Sequence, residues 1–449
     1  MNEIKTRGQW FLPNNVSNKK SGELIFHPQN ELTLLLDASL LSVSDNNKVW
    51  PGFTDIRESH DVINGNTEIG KISILRAFIT YAGSVIKYTG QYLLIGKHYS
   101  SIDEIHFSFA NVEIDNLRAW LNPRCFIVDP PFTSNSPKIE IKTPGTISLY
   151  NSRHISYSLS TVLDIKHNLE ISLKPKCRIN INSILKNGIS FLETLEKINV
   201  FEQFLTLLTS YPCFAYDLKF KDAKSDISLY FNRQTDNKNN ENSAFFFISY
   251  IEIKDSIKEI YGNWIEKWKK LESVSSILVD SILHQDRFSY NSFLNIVQGI
   301  ETFHRRFRKI DGSIKKDMID EILEVCPEKY KAWLTDRIGS YNQPSLQDRL
   351  NNLFSEIEDV NIKELMGDME EFVRSVLVTR NYYTHFDSDK KSKALKGKEL
   401  FRAKRILEFI LLINVLKEIG VDQDLLSKSF DRLKYSNFYE DFYSKPPVK

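Results

Sequence analysis

Several features of well-known protein classes are missing from this sequence. Its 449 residues contain only four cysteines, none in a CxxC pair, namely Cys125, Cys177, Cys213 and Cys326. This spacing fits neither a zinc knuckle nor a disulfide framework, so we expect reduced and mostly buried thiols, as in a cytosolic protein. The formal net charge is only +1. Any contact with nucleic acid must therefore come from a local basic patch.

Long hydrophobic runs are scarce as well. The longest, from Ile406 to Leu416, is interrupted by Glu408 and Asn414 and is too short to span a bilayer. We predict a buried core helix there. Residues 1–13 contain no apolar stretch of the kind found in a signal peptide. We therefore expect a cytoplasmic protein with no membrane partner.

The residues that are present predict two regions that differ in the spacing of their apolar residues. The hydrophobic fraction of 41% and the 29 Phe residues are enough for packed cores, and the length predicts two or three domains. Residues 1–254 contain short alternating apolar runs separated by Asn, Ser, Gly and Pro, which predicts a β-rich, sandwich-like region. In residues 255–449 the apolar positions recur every three or four residues, which predicts an all-α bundle. The predicted fold class is α+β.

Individual elements follow from the same patterns. Predicted helices cover residues 200–210, 256–272, 275–284, 288–309, 315–325, 345–357, 361–384 and 398–419. Predicted strands include residues 23–26, 32–36, 73–80, 92–95, 105–109, 147–150, 169–173 and, as the last one, 244–253. The polar tract 233–243 is predicted to be an exposed loop between two strands, because its composition cannot contribute to a core.

The most informative segment lies at the end of the predicted helix 361–384 and reads Arg380-Asn381-Tyr382-Tyr383-Thr384-His385. The apolar stripe of this helix places Arg380 four residues beyond Val376, on the packed face. A guanidinium there is costly unless it is paired or faces a cleft. Two ordinary explanations stay open: an arginine that extends to the edge of the face, or one in a structural ion pair.

His385 follows Arg380 by five residues, about 140° around an ideal helix. The two side chains cannot share a face of a regular helix. We therefore expect that the helix ends or distorts here, or that the two meet across a dimer axis. None of the other eight histidines has an arginine five to seven residues before it.

Basic residues follow the motif directly. A charge run of this kind is usually a solvated loop, but next to a histidine it also suits a phosphate-rich ligand. The candidate RNA-binding lysines are Lys390, Lys391, Lys393, Lys396 and Lys398. Arg305 and Arg306, near the end of the predicted helix 288–309, either extend this basic surface or serve as cations at a helix C-terminus. On the same helix, Glu301 is predicted either to pair with Arg380 or to be a surface acid.

The helical half resembles a HEPN domain, whose signature is an R-x4-6-H motif, and Asn381 is the polar residue that often follows the arginine. Residues 293–304 (FLNIVQGIETFH) resemble an early helix of the ApeA-type HEPN subfamily. The first half resembles the ApeA N-terminal module in residues 8–13 (GQWFLP), 21–26 (SGELIF), 94–99 (LIGKHY), 107–111 (FSFAN) and 117–121 (LRAWL). The resemblance covers nearly the whole chain.

The resemblance implies a bacterial anti-phage defence protein that cleaves RNA and halts growth. HEPN sites typically form where two domains pair, so it also implies a homodimer with a composite cleft. The sequence specifies neither the RNA, for which transfer RNA is one candidate, nor the phage-derived trigger. We expect the β-rich region to act as the sensor or regulator.

RNA carries its own nucleophile, the 2′-OH, so a histidine and an arginine suffice for cleavage. Histidine takes or delivers a proton near neutral pH, and arginine offsets charge on the phosphate oxygens. We assign His385 as general acid/base and Arg380 as phosphate clamp, with Asn381 and Glu301 as orienting residues. No cluster of carboxylates and histidines argues for a metal, and no cofactor is expected.

Two other functions fit the same sequence. One is a HEPN scaffold that binds without catalysis, although a scaffold does not need the complete Arg/His pair. The other is a ligand-binding β-region with a helical dimerisation domain. Trp10, Trp50 and Trp120 would then line the ligand site, although aromatic residues more often lie in a core.

Overall fold

The structure is a computed structural model of the chain. It describes residues 3–40, 59–129, 138–167, 171–222, 225–232, 246–284, 289–308, 316–341, 343–357, 363 and 365–433. The chain forms two compact units, one of residues 1–205 with 213–243 and the other of residues 206–212 with 244–449. The predicted domain boundary after residue 254 stays a prediction. The tract 233–243 and Trp50 lie outside the described residues.

The first unit is β-rich, as predicted. Its described strands are β1 (Ile4–Leu12), β2 (Asn15–Phe26), β3 (Leu32–Leu36), β4 (Ser59–Thr67), β5 (Gly70–Ala82), β6 (Ile86–Gly90), β7 (Tyr92–Ile95), β8 (His106–Phe107), β9 (Phe109–Ile114), β10 (Phe126–Asp129), β11 (Lys138–Ile141), β12 (Ile147–Asn151), β13 (Ile155–His167), β14 (Ile171–Ser183), β15 (Ile189–Ser190), β16 (Ala215–Lys221) and β17 (Asp226–Phe231). Helix α1 (Leu117–Leu121) follows β9, and α2 (Phe191–Thr209) contains the predicted helix near residue 200.

We expected a sandwich-like arrangement, but thirteen of these strands pair into one sheet, in the order β12-β13-β14-β9-β16-β17-β7-β5-β4-β1-β2-β3-β6. An additional β5–β6 pairing closes six strands, β5-β4-β1-β2-β3-β6, into a ring. One edge of β5 makes this possible because its first part pairs with β7 and its last part with β6. Arg76 lies between the two pairings and has a φ of 51°. This local bend lets β6 and β7 separate.

Side chains that point into the ring form its core. Trp10 is completely buried, and its indole nitrogen donates a hydrogen bond to the carbonyl of Gly22 at 3.2 Å. Gly65 lies directly against the indole, and a Cβ at this position would be 2.4 Å from the ring. Only glycine therefore fits there. The alternating burial of β3, in which Leu32, Leu34 and Leu36 point inward, is the pattern expected for a half-buried strand.

The second unit is helical, as predicted. Its described helices are α3 (Tyr250–Ile253), α4 (Ile257–Leu283), α5 (Tyr290–Phe307), α6 (Lys316–Val325), α7 (Glu328–Tyr341), α8 (Leu346–Ser355), α9 (Met369–His385), α10 (Gly397–Glu418) and α11 (Gln423–Leu433). A short 3-10 helix covers Ser388–Lys390. Two predicted helices, 256–272 and 275–284, are the single helix α4, and the patterns missed α7 and α11.

The prediction of a last strand at residues 244–253 is wrong. Its described part contains the helix α3, which starts with a capping box: Ser249 and Glu252 each satisfy the other's backbone N–H. Arg432 of α11 pairs with Glu252 and donates to the carbonyl of Phe247 at 2.9 Å. The apolar residues before α3 therefore pack without a strand partner, and local capping decides the structure.

Helix α10 forms the centre of this unit. Every residue from Ala403 to Leu416 is buried, which confirms the predicted core helix. Gly299 of α5 allows three helices to approach, because a Cβ there would lie 2.9 Å from Leu411 of α10 and 3.4 Å from Ile277 of α4. Among the described helices, none is long and apolar enough to cross a membrane.

Two buried cations of α10 form ion pairs with the same carboxylate. Lys404 and Arg405 lie 3.3 and 2.9 Å from Glu408, and both have side chains that are only 2% exposed. Ser281 of α4 donates to the same carboxylate at 2.8 Å. Burial lowers the pKa of Lys404, and the charge of Glu408 opposes that shift. Removing Glu408 would leave both cations buried without this counter-charge.

We expect Glu408→Gln to destabilise the helical unit by about 3–5 kcal/mol, because breaking a buried ion pair strands the remaining charges. The measurement is urea unfolding followed by the helical circular dichroism signal. Glu399→Gln, at an exposed position on the first turn of the same helix, should change stability by less than about 0.5 kcal/mol. Equal unfolding midpoints for the two variants would contradict the expectation.

Candidate active site

The helix that carries the Arg/His motif, α9, is regular from its first to its last residue. Asp368 caps the N-terminus by accepting a hydrogen bond from the backbone of Glu371 at 3.0 Å. At the other end, the Thr384 hydroxyl donates to the carbonyl of Arg380 at 2.7 Å, and the backbone of Phe386 donates to Tyr382 at 2.6 Å. The helix therefore ends at His385 and does not distort before it.

Arg380 lies at the edge of the packed face of α9 and not in its middle. The buried residues of this helix are Val373, Val376 and Thr379. The packed face therefore passes through Thr379, and Arg380 lies beside it. The Arg380 side chain is 34% exposed. Its Nη1 donates to Oδ1 of Asn381 at 3.2 Å, and its Nη2 lies 4.0 Å from Oε2 of Glu301. The guanidinium is thus held between two acceptors while it keeps a solvent-exposed side.

His385 is exposed at the last position of α9. Since the helix is regular over these residues, the imidazole points about 140° away from Arg380 around the axis. One chain therefore places the two groups on different faces of the helix. Of the three arrangements expected from the sequence, a helix that ends at this point is the one observed, and it leaves the two side chains on different faces.

The basic loop after the motif is fastened to α9 by two hydrogen bonds. The backbone N–H of Leu395 donates to the buried hydroxyl of Thr379 at 3.0 Å, and the Tyr383 hydroxyl donates to the carbonyl of Leu395 at 3.2 Å. Lys390 pairs with Asp387 at 3.0 Å. The other candidate lysines are exposed, and no acid of the described chain lies within ion-pair distance of them, namely Lys391, Lys393, Lys396 and Lys398.

The candidate residues on α5 contact two different neighbouring helices. Glu301 faces Arg380, as described above. Arg306 instead donates to the carbonyl of Lys270 and to the hydroxyl of Ser273 on α4, both at 2.7 Å, so its guanidinium holds two helices together. Arg305 is exposed. The structure therefore brings Glu301 and Arg380 together and commits Arg306 to the contact with α4.

A buried arginine that the sequence patterns did not indicate lies beside this cluster. Arg349 of α8 is only 4% exposed; its Nη1 donates to Nδ1 of His304 at 3.2 Å and its Nε to the carbonyl of Pro344 at 3.1 Å. Burial, together with the charge of Arg305, lowers the pKa of Arg349, whereas the Glu301 carboxylate raises it. Glu301 therefore acts electrostatically on Arg349 and also pairs with Arg380. No spacing in the sequence signals Arg349.

The contact with Arg349 determines the tautomer of His304. Because Arg349 only donates, Nδ1 of His304 must accept, and Nε2–H then donates to Oδ1 of Asn352 at 3.1 Å. Burial and the positive charges of Arg349 and Arg308 lower the pKa of His304, with Asn352 and Glu356 opposing. This imidazole is a neutral part of the core, so it is not a second catalytic candidate.

The other predicted candidates are accounted for as follows. Trp10 and Trp120 are buried, so neither lines a ligand site. Cys125, Cys177 and Cys213 are buried thiols, and Cys326 is half-buried. Within the described ranges, no group of three or more His, Cys, Asp or Glu side chains is placed to hold a metal ion.

We expect the helical unit to lose stability as the pH falls from about 8 to about 5. The pKa of His304 in the folded chain is below its usual value of about 6.5. The unfolded chain therefore binds the proton first and is favoured as the pH falls through that value, until the folded form also protonates. Thermal unfolding across this pH range measures the effect.

The matched variant is His304→Gln, whose amide keeps a donor and an acceptor but does not titrate. The loss of stability in acid should be smaller for this variant than for the wild type, and that difference isolates His304 from the carboxylates. Identical pH dependence of the two proteins would contradict the assignment.

Comparison with protein-family models agrees with this architecture. The model for the ApeA N-terminal domain 1 matches residues 5–264, more than half of the chain, and the model for Apea-like HEPN matches residues 294–425. The second match includes Glu301, Arg380 and His385. No curated protein and no solved structure gives a significant match. The chain therefore belongs to the family of ApeA-type proteins, which combine an ApeA N-terminal domain with an Apea-like HEPN domain.

Proposed function

We propose that this ApeA-type protein is a metal-independent HEPN endoribonuclease of bacterial anti-phage defence, active in the cytoplasm. The observation that carries the proposal is the state of Arg380. Its guanidinium is oriented by Asn381 and Glu301, keeps an exposed side, and lies five residues from an exposed histidine. Membership of the ApeA-type family supports the defence role, in which RNA cleavage halts growth of the infected cell.

The chemistry assigned to these residues is an in-line attack within the RNA. His385 acts as general acid/base: the 2′-OH loses its proton, its oxygen bonds to phosphorus, and the bond to the 5′-oxygen breaks as that oxygen gains a proton. Arg380 binds the phosphate and offsets the charge on its oxygens in the transition state. The products are a 2′,3′-cyclic phosphate and a 5′-OH end. Asn381 and Glu301 position Arg380.

The surroundings of the motif suit a polyanion. Lys391, Lys393, Lys396 and Lys398 are exposed next to it, and Lys396 and Lys398 lie at the N-terminus of α10, where backbone N–H groups also favour anions. Lys390 and Arg305 extend this positive surface, although Lys390 is partly neutralised by Asp387. We leave Arg306 out of the RNA-binding set because its guanidinium is occupied by α4.

A homodimer completes the proposed site. In one regular helix Arg380 and His385 point in directions about 140° apart, so a cleft that uses both takes Arg380 from one chain and His385 from the other. A two-fold axis repeats this arrangement twice. The β-rich unit, in this proposal, holds the nuclease inactive until a phage-derived trigger arrives, and transfer RNA is one candidate substrate.

Cleavage of purified total RNA in EDTA tests the activity. Wild type should cut, and Arg380→Ala and His385→Ala should each lower the rate by at least about a hundredfold, since proton transfer and oxyanion stabilisation each contribute that much or more. Arg374→Ala is the matched control, because Arg374 is an exposed arginine on the same helix. Mapping the cut ends should reveal cyclic phosphates.

If His385→Ala cuts at the wild-type rate, the assignment of the general acid/base is wrong. If no protein cuts, the assay is repeated on RNA from phage-infected cells that carry wild type or His385→Ala. Cleavage that depends on His385 only there would support a nuclease held inactive. Its absence there as well would favour a HEPN scaffold.

Mixing the two inactive variants tests the composite cleft. A heterodimer of Arg380→Ala with His385→Ala keeps one intact Arg380 and one intact His385 on opposite chains, so one of its two arrangements is complete. With random reassortment half of the dimers are mixed, and about a quarter of wild-type activity should return. Two different affinity tags verify that heterodimers form. Verified heterodimers without activity would place both groups in one chain.

A further inference from the structure

The residue directly after His385 has an unusual backbone for its side chain. Phe386 ends α9 in the left-handed conformation, with φ 54° and ψ 34°. This position normally belongs to glycine or asparagine, because a bulky side chain is disfavoured there. Phe386 is nevertheless 58% exposed, so burial in a core does not offset the cost. A strained, exposed aromatic residue next to a catalytic candidate points to a function of the ring itself.

Three tyrosines hold this ring in place. Tyr290 of α5 stacks on Tyr383 with centroids 4.9 Å apart and planes 5° apart. Phe386 meets this pair nearly perpendicularly, at 6.0 Å and 89° from Tyr290 and 6.4 Å and 88° from Tyr383, and it lies 5.8 Å from Tyr382 at 68°. No described ring stacks face to face on Phe386. The ring is therefore fixed in orientation while solvent reaches it.

The charges around the ring favour one kind of occupant. The segment 387–398 carries five lysines against two acids, Asp387 and Asp389, and it is fastened to Thr379 and Tyr383 of α9. Aromatic faces beside lysines bind single-stranded nucleic acid, because bases stack on the rings while phosphates meet the cations. A base inside a duplex is stacked between its neighbours, so neither of its faces is available to an aromatic side chain.

We propose that Phe386 is a stacking platform for an unpaired RNA base next to the scissile phosphate. The substrate class is then RNA in loops or single strands, and paired RNA is excluded. This inference rests on the proposed function, because it uses the position of His385 to place the phosphate. A second copy of the chain covering Phe386 is the competing explanation, and oligomeric state separates it from RNA binding.

The experiment measures binding, independently of cleavage, by fluorescence anisotropy with an unstructured RNA oligonucleotide whose 2′-OH groups are replaced by 2′-O-methyl. A perfect duplex of the same sequence is the comparison ligand. The variants are Phe386→Trp, which keeps a stacking face, Phe386→Leu, which keeps apolar bulk only, and Phe386→Gly, which relieves the backbone. Trp333→Leu removes an aromatic side chain on α7 that is 60% exposed and is the matched control.

Wild type should bind the single strand more tightly than the duplex. Phe386→Leu and Phe386→Gly should weaken binding of the single strand by about tenfold or more, the usual effect of losing one stacked base, and leave duplex binding unchanged. Phe386→Trp and Trp333→Leu should bind as wild type. An unchanged or raised unfolding temperature for Phe386→Gly would show that the loss of binding is not a loss of folding.

Three results would overturn the inference: wild type that binds no single strand, Phe386→Leu that binds as wild type, or a variant that loses only self-association in light scattering. Cleavage separates this outcome from that of the proposed function. If RNA binding depends on Phe386 but no protein cleaves RNA, the stacking platform is supported and the nuclease is not. If the cleavage rate does not change when Phe386 is replaced, the nuclease is supported and the stacking platform is not.

Discussion

The guanidinium of Arg380 lies where a packed helix face meets solvent, and this position constrains the rest of the candidate site. A charge that is two-thirds removed from water needs acceptors, and Asn381 and Glu301 provide them at 3.2 and 4.0 Å. Glu301 also acts electrostatically on Arg349, whose other charged neighbours are Arg305 and Asp348. The exposed side of the Arg380 guanidinium is the part that the proposed function assigns to an anionic phosphate.

Much of the second unit could be predicted from the sequence, because its helices are specified by residues that are close together in the chain. The spacing of apolar residues indicated α5, α9 and α10, and the charge run after His385 indicated the basic loop. Phe386 could not be predicted in its left-handed conformation, because the usual signal for such a helix end is glycine. Arg349 escaped prediction for another reason: its partners, His304 and Glu301, lie more than forty residues away in the chain.

The β-rich unit was predictable in class but not in topology. Alternation identifies strands, but it cannot show that β5 divides one edge between β6 and β7, since that division depends on pairings across the sheet and on the bend at Arg76. A buried ion pair adds a second non-local tie. Arg178 on β14 contacts Glu113 on β9 at 2.7 and 3.0 Å, and the Tyr216 hydroxyl donates to Glu113 at 3.0 Å. Such contacts join strands that alternation alone cannot place side by side.

The last two turns of α9 show how one helix serves several tasks at once. Thr379 points into the core and fastens the loop, Arg380 faces Glu301, Tyr383 stacks on Tyr290, and His385 and Phe386 reach solvent. Thr379 and Tyr383 are four residues apart, so they lie on nearly the same face and both contact Leu395, whereas His385 lies on another face. The contacts of Tyr383 with Tyr290 and Leu395 hold the last turns of α9 in this regular form. The regular helix is therefore the physical reason for the proposal that two chains share one cleft.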